Sequence, residues 1–140
     1  MYIYGGSDAG QYTPIYQRAW DFNIKIPSPI DLQPGKWLLS LCELRVQREA
    51  NVEGYFALFV DVIHPQPFYG QLRSILRTFS LEARENTQGE IIDHIIFQDR
   101  YYCNIHTGQF SCLQVKLKSI DGSAESEFIK TCCVFHLKHK

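Results

Sequence analysis

The chain has 140 residues and a mass of 16.3 kDa, which is enough for one domain and short for two. Hydrophobic residues make up 45% of the sequence and aromatic residues 14%, which excludes disorder for lack of apolar material and favours an all-β protein. Fourteen Lys and Arg residues against 15 Asp and Glu leave a formal net charge of −1, so the chain has no general electrostatic attraction to nucleic acid or anionic lipid.

The first 20 residues are rich in Gly, Ser and Tyr and show no periodicity. They contain neither the basic segment nor the apolar core of a signal peptide, so we expect no secretion through one. No run in the chain approaches the roughly 20 apolar residues that span a membrane. The tyrosines of this segment favour an arm that docks on a surface over one that moves freely in solvent: Tyr2, Tyr4, Tyr12 and Tyr16.

The first predicted strand follows this arm. Phe22, Ile24 and Ile26 alternate with polar residues, which is the pattern of a half-buried strand. Pro27 and Pro29 are expected to end it, because proline cannot donate a hydrogen bond to a neighbouring strand.

Residues 37–47, WLLSLCELRVQ, contain no residue that breaks a regular element. Apolar side chains lie on both faces of the segment at first and on only one face later. This is typical of a central strand that emerges from between two sheets. A helix is the competing interpretation, because Leu and Glu favour helices. We predict a strand, since the sequence that follows is strongly β-forming.

Further strands are predicted in the middle of the chain. Residues 54–63 are aromatic and β-branched, and the His-Pro-Gln-Pro sequence at 64–67 ends them. Residues 71–84 show helical spacing as well as tolerable alternation, so a helical turn there stays open. Short strands are expected at 91–97 and 101–105.

The last two predicted strands form a hairpin. Residues 110–120 alternate Leu and Val with Gln and Lys, the pattern of a strand with one buried face. Asp121-Gly122 is a strong turn signal, and the chain returns over residues 127–137 as a final strand.

These elements predict an all-β fold, an eight-stranded antiparallel sandwich or barrel, because about eight strands follow one another without a β-α-β rhythm. Eight strands in two sheets are the number of a jelly roll, although the pattern also fits other sandwiches. The expected organisation is an arm over residues 1–20 and a single domain over residues 21–140.

The five cysteines are odd in number and contain no CxxC pair, so we expect reduced thiols and no disulfide framework. A metal site is conceivable from the Cys and His residues of the second half, but their spacing fits no zinc pattern. Small buried thiols and surface histidines are the favoured interpretation, and no metal or cofactor is expected. The residues concerned are Cys103, Cys112, His106, His136 and His139.

Signals for catalysis are weak, and we expect the protein not to be an enzyme. The common nucleophile, phosphate-loop, zinc-protease and dinucleotide motifs are missing from the sequence. Glu43 and Asp61 lie in apolar strands and could form an acid–base pair, although carboxylates paired with arginine are commoner. Cys103 and His106 could form a thiol–imidazole pair, but no third group that would orient them is evident.

A nucleic-acid surface is a further possibility that the charge pattern disfavours. Four arginines lie near two tyrosines, the combination that binds single strands. Acidic residues are interspersed among them, so we predict a solvated face of mixed charge. The six basic and aromatic residues are Arg73, Arg77, Arg84, Arg100, Tyr101 and Tyr102.

Residues 22–46, FNIKIPSPIDLQPGKWLLSLCELRV, resemble the opening of minor capsid (penton) proteins from Maverick/polinton elements and from related adintovirus- and virophage-like double-stranded DNA viruses. In that family a Phe-containing strand runs into a Pro-x-Pro-Ile turn, and a Gly-x-Trp precedes an aliphatic strand with an acidic residue. The matching positions here are Phe22, Pro27, Pro29, Ile30, Leu32, Gly35, Trp37, Leu41, Glu43 and Leu44.

The C-terminal half is similar to the same family in its order of a Tyr-containing strand, an aliphatic strand, an Asp-Gly turn and a Phe strand. The corresponding residues are Tyr101, Tyr102, Val115, Leu117, Asp121, Gly122, Phe128 and the segment 134–137. The chain departs from the family in being shorter than many polinton relatives and in its ending, VFHLKHK.

The resemblance implies a single jelly roll that forms homopentamers at the fivefold vertices of an icosahedral capsid. The implied partners are further copies of the chain, a major capsid protein of the double-jelly-roll type and a possible spike or fibre, without direct genome binding. The implied location is the virion, after synthesis in the host cytoplasm or nucleus. The alternative function is a trimeric spike or fibre head that binds a host receptor.

In such a ring the contact between subunits joins two different surfaces and closes by rotation. The candidate interface residues are the arm tyrosines and the tryptophan that follows them, with packing onto their own domain as the equal alternative. These residues are Tyr2, Tyr4, Tyr12, Tyr16 and Trp20.

Overall fold

Eleven β-strands are present in a computed structural model, which describes residues 1–7, 18–31, 37–84, 87–106, 108–120 and 128–140, with the backbone alone over 27–31. The described ranges contain no helix. The strands are β1 (Tyr2–Gly6), β2 (Asp21–Asp31), β3 (Trp37–Glu49), β4 (Gly54–Val60), β5 (Gln66–Phe68), β6 (Gln71–Arg73), β7 (Ile75–Leu81), β8 (Glu90–Ile96), β9 (Cys103–Asn104), β10 (Gln109–Ser119) and β11 (Phe128–His139).

Two antiparallel sheets contain all the long strands. The first has the order β1-β11-β3-β8, with the short β9 also paired to β3, and the second has the order β2-β10-β4-β7. Six of the seven connections between consecutive long strands pass from one sheet to the other, and only β4 and β7 are neighbours in one sheet. This is the topology of a jelly roll, so the predicted fold class is confirmed. The strand count exceeds eight because β5, β6 and β9 are short additions.

The core lies between the two sheets and contains much of the aromatic surplus. Phe22, Phe56, Phe128 and Phe135 are fully buried. The ring of Phe56 lies 5.3 Å from that of Phe128, and it stacks at 5.8 Å on that of Phe79. Because burial of one such side chain contributes about 1.5–3 kcal/mol, these rings are a main source of stability for the sandwich.

β3 is a strand, as predicted, and a β-bulge explains its unusual pattern. Leu39 and Leu41 lie at odd positions and Leu44 at an even one, yet all three are fully buried. Val134 of β11 pairs with Glu43 and the next residue, Phe135, pairs with Leu41, so β3 has one extra residue at this point. The extra residue reverses the face on which the following side chains lie.

The segment 71–84 forms β6 and β7, and the helical turn left open for it is not present. A second bulge explains the helix-like spacing: Leu58 pairs with Arg77 and Phe59 with Ile75, so Leu76 is an extra residue in β7. Ile75 and Leu76 are therefore both buried, although they are adjacent.

The prediction that Pro27 and Pro29 end the first strand is wrong, because β2 continues to Asp31. β2 lies at the edge of its sheet and has a neighbouring strand on one side only. A proline whose missing N–H would face the open side removes no hydrogen bond between strands. The pairing with β10 is irregular in the same region, since its register shifts between Phe110 and Cys112.

The predicted arm over residues 1–20 differs from the structure at its start. Residues 2–6 form the edge strand β1, whose Tyr2 pairs with His136 and whose Gly6 pairs with Cys132 of β11. A Cβ atom on Gly6 would lie 2.4 Å from the carbonyl oxygen of Thr131, so the close approach of the two strands requires glycine there. Residues 8–17 lie outside the described residues, so the rest of the arm stays a prediction.

Arg48, near the end of β3, is the largest fully buried side chain. Its guanidinium pairs with the carboxylate of Asp93 on β8 and donates hydrogen bonds to the carbonyl oxygens of Glu49, Val52 and Glu82. Glu82 follows β7 of the second sheet, so a single cation joins both sheets and the turn after β3. Burial of this charge is tolerated because each of its three nitrogens donates to an acceptor.

We expect Arg48→Met to lower the free energy of unfolding by about 3–5 kcal/mol, because Asp93 and three carbonyl groups would lose their buried partner. Arg84→Met is the matched control, since Arg84 pairs with the same carboxylate but is 57% exposed. Its cost should be below about 1 kcal/mol. Chemical denaturation of both variants measures the difference, and equal losses would contradict the role of Arg48.

We also expect Gly6→Ala to destabilise the protein by about 1–3 kcal/mol, because the new methyl group would collide with backbone rather than with a mobile side chain. Gly5→Ala should also destabilise the protein, because its methyl group would lie 2.6 Å from Cγ2 of Ile24, a buried β-branched side chain that cannot move aside easily. Hydrogen exchange of the β1 amides would show the loss of pairing directly. Unchanged protection of β1 in Gly6→Ala would refute this expectation.

Candidate assembly surfaces

Ten large hydrophobic side chains are exposed in the described part of the chain, and most of them fall into two groups. Clustered exposed apolar residues mark sites of association, whereas isolated ones are ordinary. The first group, on strands of the first sheet, is Tyr2, Tyr4, Ile92, Ile96 and Ile129, and the second, around the β5–β6 hairpin, is Tyr69, Leu72 and Tyr101.

The face of the first sheet that points away from the core, here called the outer face, crosses four strands. In one row Tyr4 pairs with Val134, Val134 with Glu43, and Glu43 with Ile96. His94 Nε2 lies 3.3 Å from Glu43 Oε1, which places a polar pair beside these apolar groups. The outer face therefore combines apolar and polar groups, as the contact surfaces of oligomers do.

A group of cations and tyrosines, here called the cation–tyrosine cluster, lies at one end of the outer face. It consists of Tyr2, Tyr102, His136, Arg100 and Lys138. Arg100 donates a hydrogen bond of 3.2 Å to the hydroxyl of Tyr2, and Lys138 Nζ lies 4.0 Å from the centre of the Tyr102 ring. The Tyr102 hydroxyl lies 2.7 Å from His136 Nδ1, and the imidazole lies 4.6 Å from the Tyr2 ring. These contacts join β1, β11 and the segment after β8.

Titration of this cluster follows from its contacts. Hydrogen bonding to Tyr102 and Tyr2 raises the pKa of Arg100, which stays a cation. Desolvation lowers the pKa of His136, and the positive charges of the N-terminus, Arg100 and Lys138 lower it further. The imidazole is therefore mostly neutral at pH 7, and its Nδ1 shares a hydrogen bond with the Tyr102 hydroxyl.

The β5–β6 hairpin forms the second exposed group. Its turn consists of Tyr69 and Gly70, with φ angles of 47° and 76°, which is the left-handed geometry of a tight hairpin turn. Tyr69 and Leu72 expose most of their surface, and the Tyr69 ring contacts that of Phe68 edge to face at 4.7 Å. A bulky residue in the left-handed region is uncommon and marks a site of interest.

A cavity of about 390 Å³ opens beside this hairpin. A second cavity of about 290 Å³ adjoins it, and residues Gln66 and Tyr101, joined by a hydrogen bond of 3.2 Å, line both. Cavities of this size enclose small ligands or single side chains. The first is lined by Gln66, Pro67, Phe68, Ile75, Leu76, Arg77, Thr78, Asp99, Arg100 and Tyr101.

The structure separates the candidate interface residues of the sequence. Tyr2 and Tyr4 lie exposed at the edge of the first sheet. Trp20 packs partly buried against the core, with Arg18 5.8 Å from its ring, which corresponds to the alternative of packing on its own domain. Tyr12 and Tyr16 lie outside the described residues. An interface role for any of them stays a prediction.

Sequence reasoning missed Tyr69, Leu72, Ile92 and Ile96 as surface candidates. A signal was present for β8, because the sequence EIIDHII places isoleucine at both alternating positions of a short strand. One of the two faces must then be apolar and exposed unless something covers it.

The carboxylates and the thiol proposed for catalysis have separate partners. Glu43 lies on the first sheet and pairs with His94, whereas the Asp61 carboxylate follows β4 of the second sheet and accepts the backbone N–H of Gln114. Cys103 is buried beside Gln66. These groups do not form the acid–base pair suggested by their sequence positions.

The histidines and cysteines considered as metal ligands are also dispersed. His106 Nε2 lies 2.8 Å from the carbonyl oxygen of Asp61, His139 packs on Trp37 and Cys112 lies beside Asn23. All five cysteines are free thiols, and burial raises the pKa of Cys103, Cys112 and Cys133. Within the described ranges no three potential ligands are gathered in one place.

The arginines considered for nucleic-acid binding lie in different environments. Arg84 pairs with Asp93, Arg77 lies 4.4 Å from the Phe97 ring, and Arg100 belongs to the cation–tyrosine cluster. Arg73 lies on the β5–β6 hairpin. The described residues include no helix long and apolar enough to cross a membrane.

We expect the pKa of His136 to lie below its ordinary value of 6.5 in the folded protein. Protonation then favours the unfolded chain, so this group leaves stability unchanged above pH 6.5 and reduces it as the pH falls through 6.5 toward the folded pKa. Lys138→Gln should raise the pKa of His136, because it removes a nearby positive charge. Titration of the imidazole by NMR measures both values, and a wild-type pKa above 6.5 would contradict the arrangement.

Comparison with solved structures gives a match in fold. No protein-family model and no curated protein matches the chain. Among solved structures, the crystal structure of the selenomethionine-labelled mavirus penton protein superposes over 100% of both chains, with a TM-score of 0.54 and 8% sequence identity. At that identity the match concerns the fold. The resemblance to penton proteins that the sequence predicts is thus confirmed as a likeness of fold over the full length of the chain.

Proposed function

We propose that this chain is a structural protein of a viral capsid and that five copies form a ring at each vertex of an icosahedral shell. The observation that carries the proposal is the fold match to a penton protein. The match covers the full length of both chains. The match agrees with the independent resemblance of residues 22–46 and of the C-terminal half to penton sequences. Fold alone does not determine function, so the surfaces must also suit assembly.

The surfaces support an assembling subunit. The outer face presents Tyr4, Ile92 and Ile96, and the β5–β6 hairpin presents Tyr69 and Leu72, all largely exposed. Two separate apolar regions are what a ring needs, because each subunit contacts its two neighbours through different surfaces. Tyr2 and Tyr4, which the sequence suggested as interface residues, belong to the proposed contacts.

A structural role is also the simplest account of the polar groups. The candidate acid, base and thiol groups are engaged with separate neighbours in different parts of the sandwich. In the proposed assembly the remaining partners are a double-jelly-roll major capsid protein around the ring and a spike or fibre above it. The proposed location is the capsid vertex of the virion.

The proposal predicts that the purified chain forms a particle of five copies at high protein concentration. Native mass spectrometry and negative-stain imaging measure the mass and the rotational symmetry. A mass of three copies with threefold symmetry would contradict the proposal and favour the spike or fibre head. A chain that stays monomeric, alone and with the capsid proteins of its virus, would also contradict it.

A further inference from the structure

We propose that the 390 Å³ cavity beside the β5–β6 hairpin binds an apolar monocarboxylate, a ligand whose single carboxylate is attached to a ring or a short chain. The cavity lies within one copy of the chain, so the inference goes beyond the proposed capsid function and does not rest on a ring. A free organic acid and the last residue of a polypeptide both carry this chemistry, and experiment distinguishes the two sources.

The cavity lies where two connections between long strands meet. Gln66 belongs to the connection between β4 and β7, and Tyr101 belongs to the connection between β8 and β10. A backbone hydrogen bond of 2.9 Å from the N–H of His64 to the carbonyl oxygen of Asn104 joins the two connections. The start of β7 completes the lining. Clefts among the connections of a rigid scaffold are common places for ligands.

The lining carries a net positive charge. Its charged residues are Arg77, Arg100 and Asp99, so two cations against one carboxylate leave a charge of +1. Arg100 is exposed and donates a hydrogen bond to the Tyr2 hydroxyl, so it contributes mainly long-range attraction. A ligand with one negative charge neutralises the lining, whereas a phosphate monoester, with a charge of about −1.5 to −2 at pH 7, exceeds it.

Arg77 is held in a position to bind a carboxylate. The central carbon of its guanidinium lies 4.4 Å from the centre of the Phe97 ring, and one of its nitrogens donates a hydrogen bond to the carbonyl oxygen of Asp99. No described residue accepts a hydrogen bond from its other two nitrogens. Since a guanidinium binds a carboxylate through two parallel hydrogen bonds, these two nitrogens are the donors for the ligand.

The remaining lining suits the apolar part of the ligand. Pro67, Phe68, Ile75 and Leu76 supply carbon surface beside the arginines. The volume of about 390 Å³ lies at the small end of the range of about 300–1,000 Å³ for ligand sites. A single ring or a short chain fits this space, and a bare anion would leave the carbon surface uncovered.

Hydrocinnamate, a phenyl ring on a short chain with one carboxylate, is the probe. Its titration into the wild-type chain, followed by NMR, should shift the amides of the lining residues with a dissociation constant of about 1 mM or lower. Hydrocinnamamide, which lacks the charge, and acetate, which lacks the ring, should each bind at least about tenfold more weakly. The absence of saturable shifts at the cavity, or equal binding of the amide, would overturn the inference.

Two variants with a matched control test the charges. Arg77→Gln should weaken the binding of hydrocinnamate about tenfold, whereas Arg73→Gln should leave it unchanged, because Arg73 lies on β6 and does not line the cavity. Asp99→Asn should strengthen binding, because it removes the negative charge from the lining; it also tests the inference if Arg77→Gln fails to fold. Circular dichroism verifies the fold of each variant. Equal losses in Arg77→Gln and Arg73→Gln, or weaker binding in Asp99→Asn, would overturn the inference.

An acetylated Gly-Gly-Phe peptide distinguishes the two sources of the carboxylate. Tighter binding of this peptide than of hydrocinnamate assigns the site to the last residue of a partner polypeptide, whose preceding residues then occupy the adjoining 290 Å³ cavity. Weaker binding assigns it to a free organic acid. Equal binding of the peptide and its C-terminal amide would contradict carboxylate recognition. None of these failures affects the proposed capsid function, which the mass and symmetry of the assembled chain test separately.

Discussion

Each sheet of this molecule has one face that is stable only against the other sheet. Phe22, Phe56, Phe128 and Phe135 fill the space between them, and the remaining architecture is arranged around that requirement. Alternation would direct half of the side chains away from this core, yet β3 and β7 contribute neighbouring apolar residues to it. A bulge at Cys42 in β3 and another at Leu76 in β7 make this possible. After each bulge, the side chains that would have pointed to solvent point into the core instead.

The same bulges show how much of the fold could be predicted from the sequence. The strands without irregularity, such as β10 with its buried Leu113, Val115 and Leu117, follow directly from alternation. The segments that resembled helices are the two bulged strands, because one extra residue introduces a spacing of three into a pattern of two. A bulge depends on the partner strand, so a single sequence does not reveal it. The continuation of β2 past Pro27 has the same origin, since only the sheet order shows that β2 is an edge.

The candidate surfaces were less predictable than the fold. Tyrosines near the N-terminus suggested an interface, and Tyr2 and Tyr4 are exposed. Tyr69 and Leu72 were not identified, because two three-residue strands, one of which contains Pro67, have no distinctive pattern. Arg48 was missed for another reason: two of its partners, Glu82 and Asp93, are 34 and 45 residues away in sequence and meet it only in the folded chain.

The pairing of β1 with β11 has a consequence for synthesis. β1 lies beside β11, from which it is separated by almost all of the described strands along the chain, and β11 also pairs with β3. The first sheet therefore cannot close until β11 has been translated, and the apolar inner faces stay without their final cover until then. Closure of the first sheet is therefore expected to be a late step in the folding of this chain.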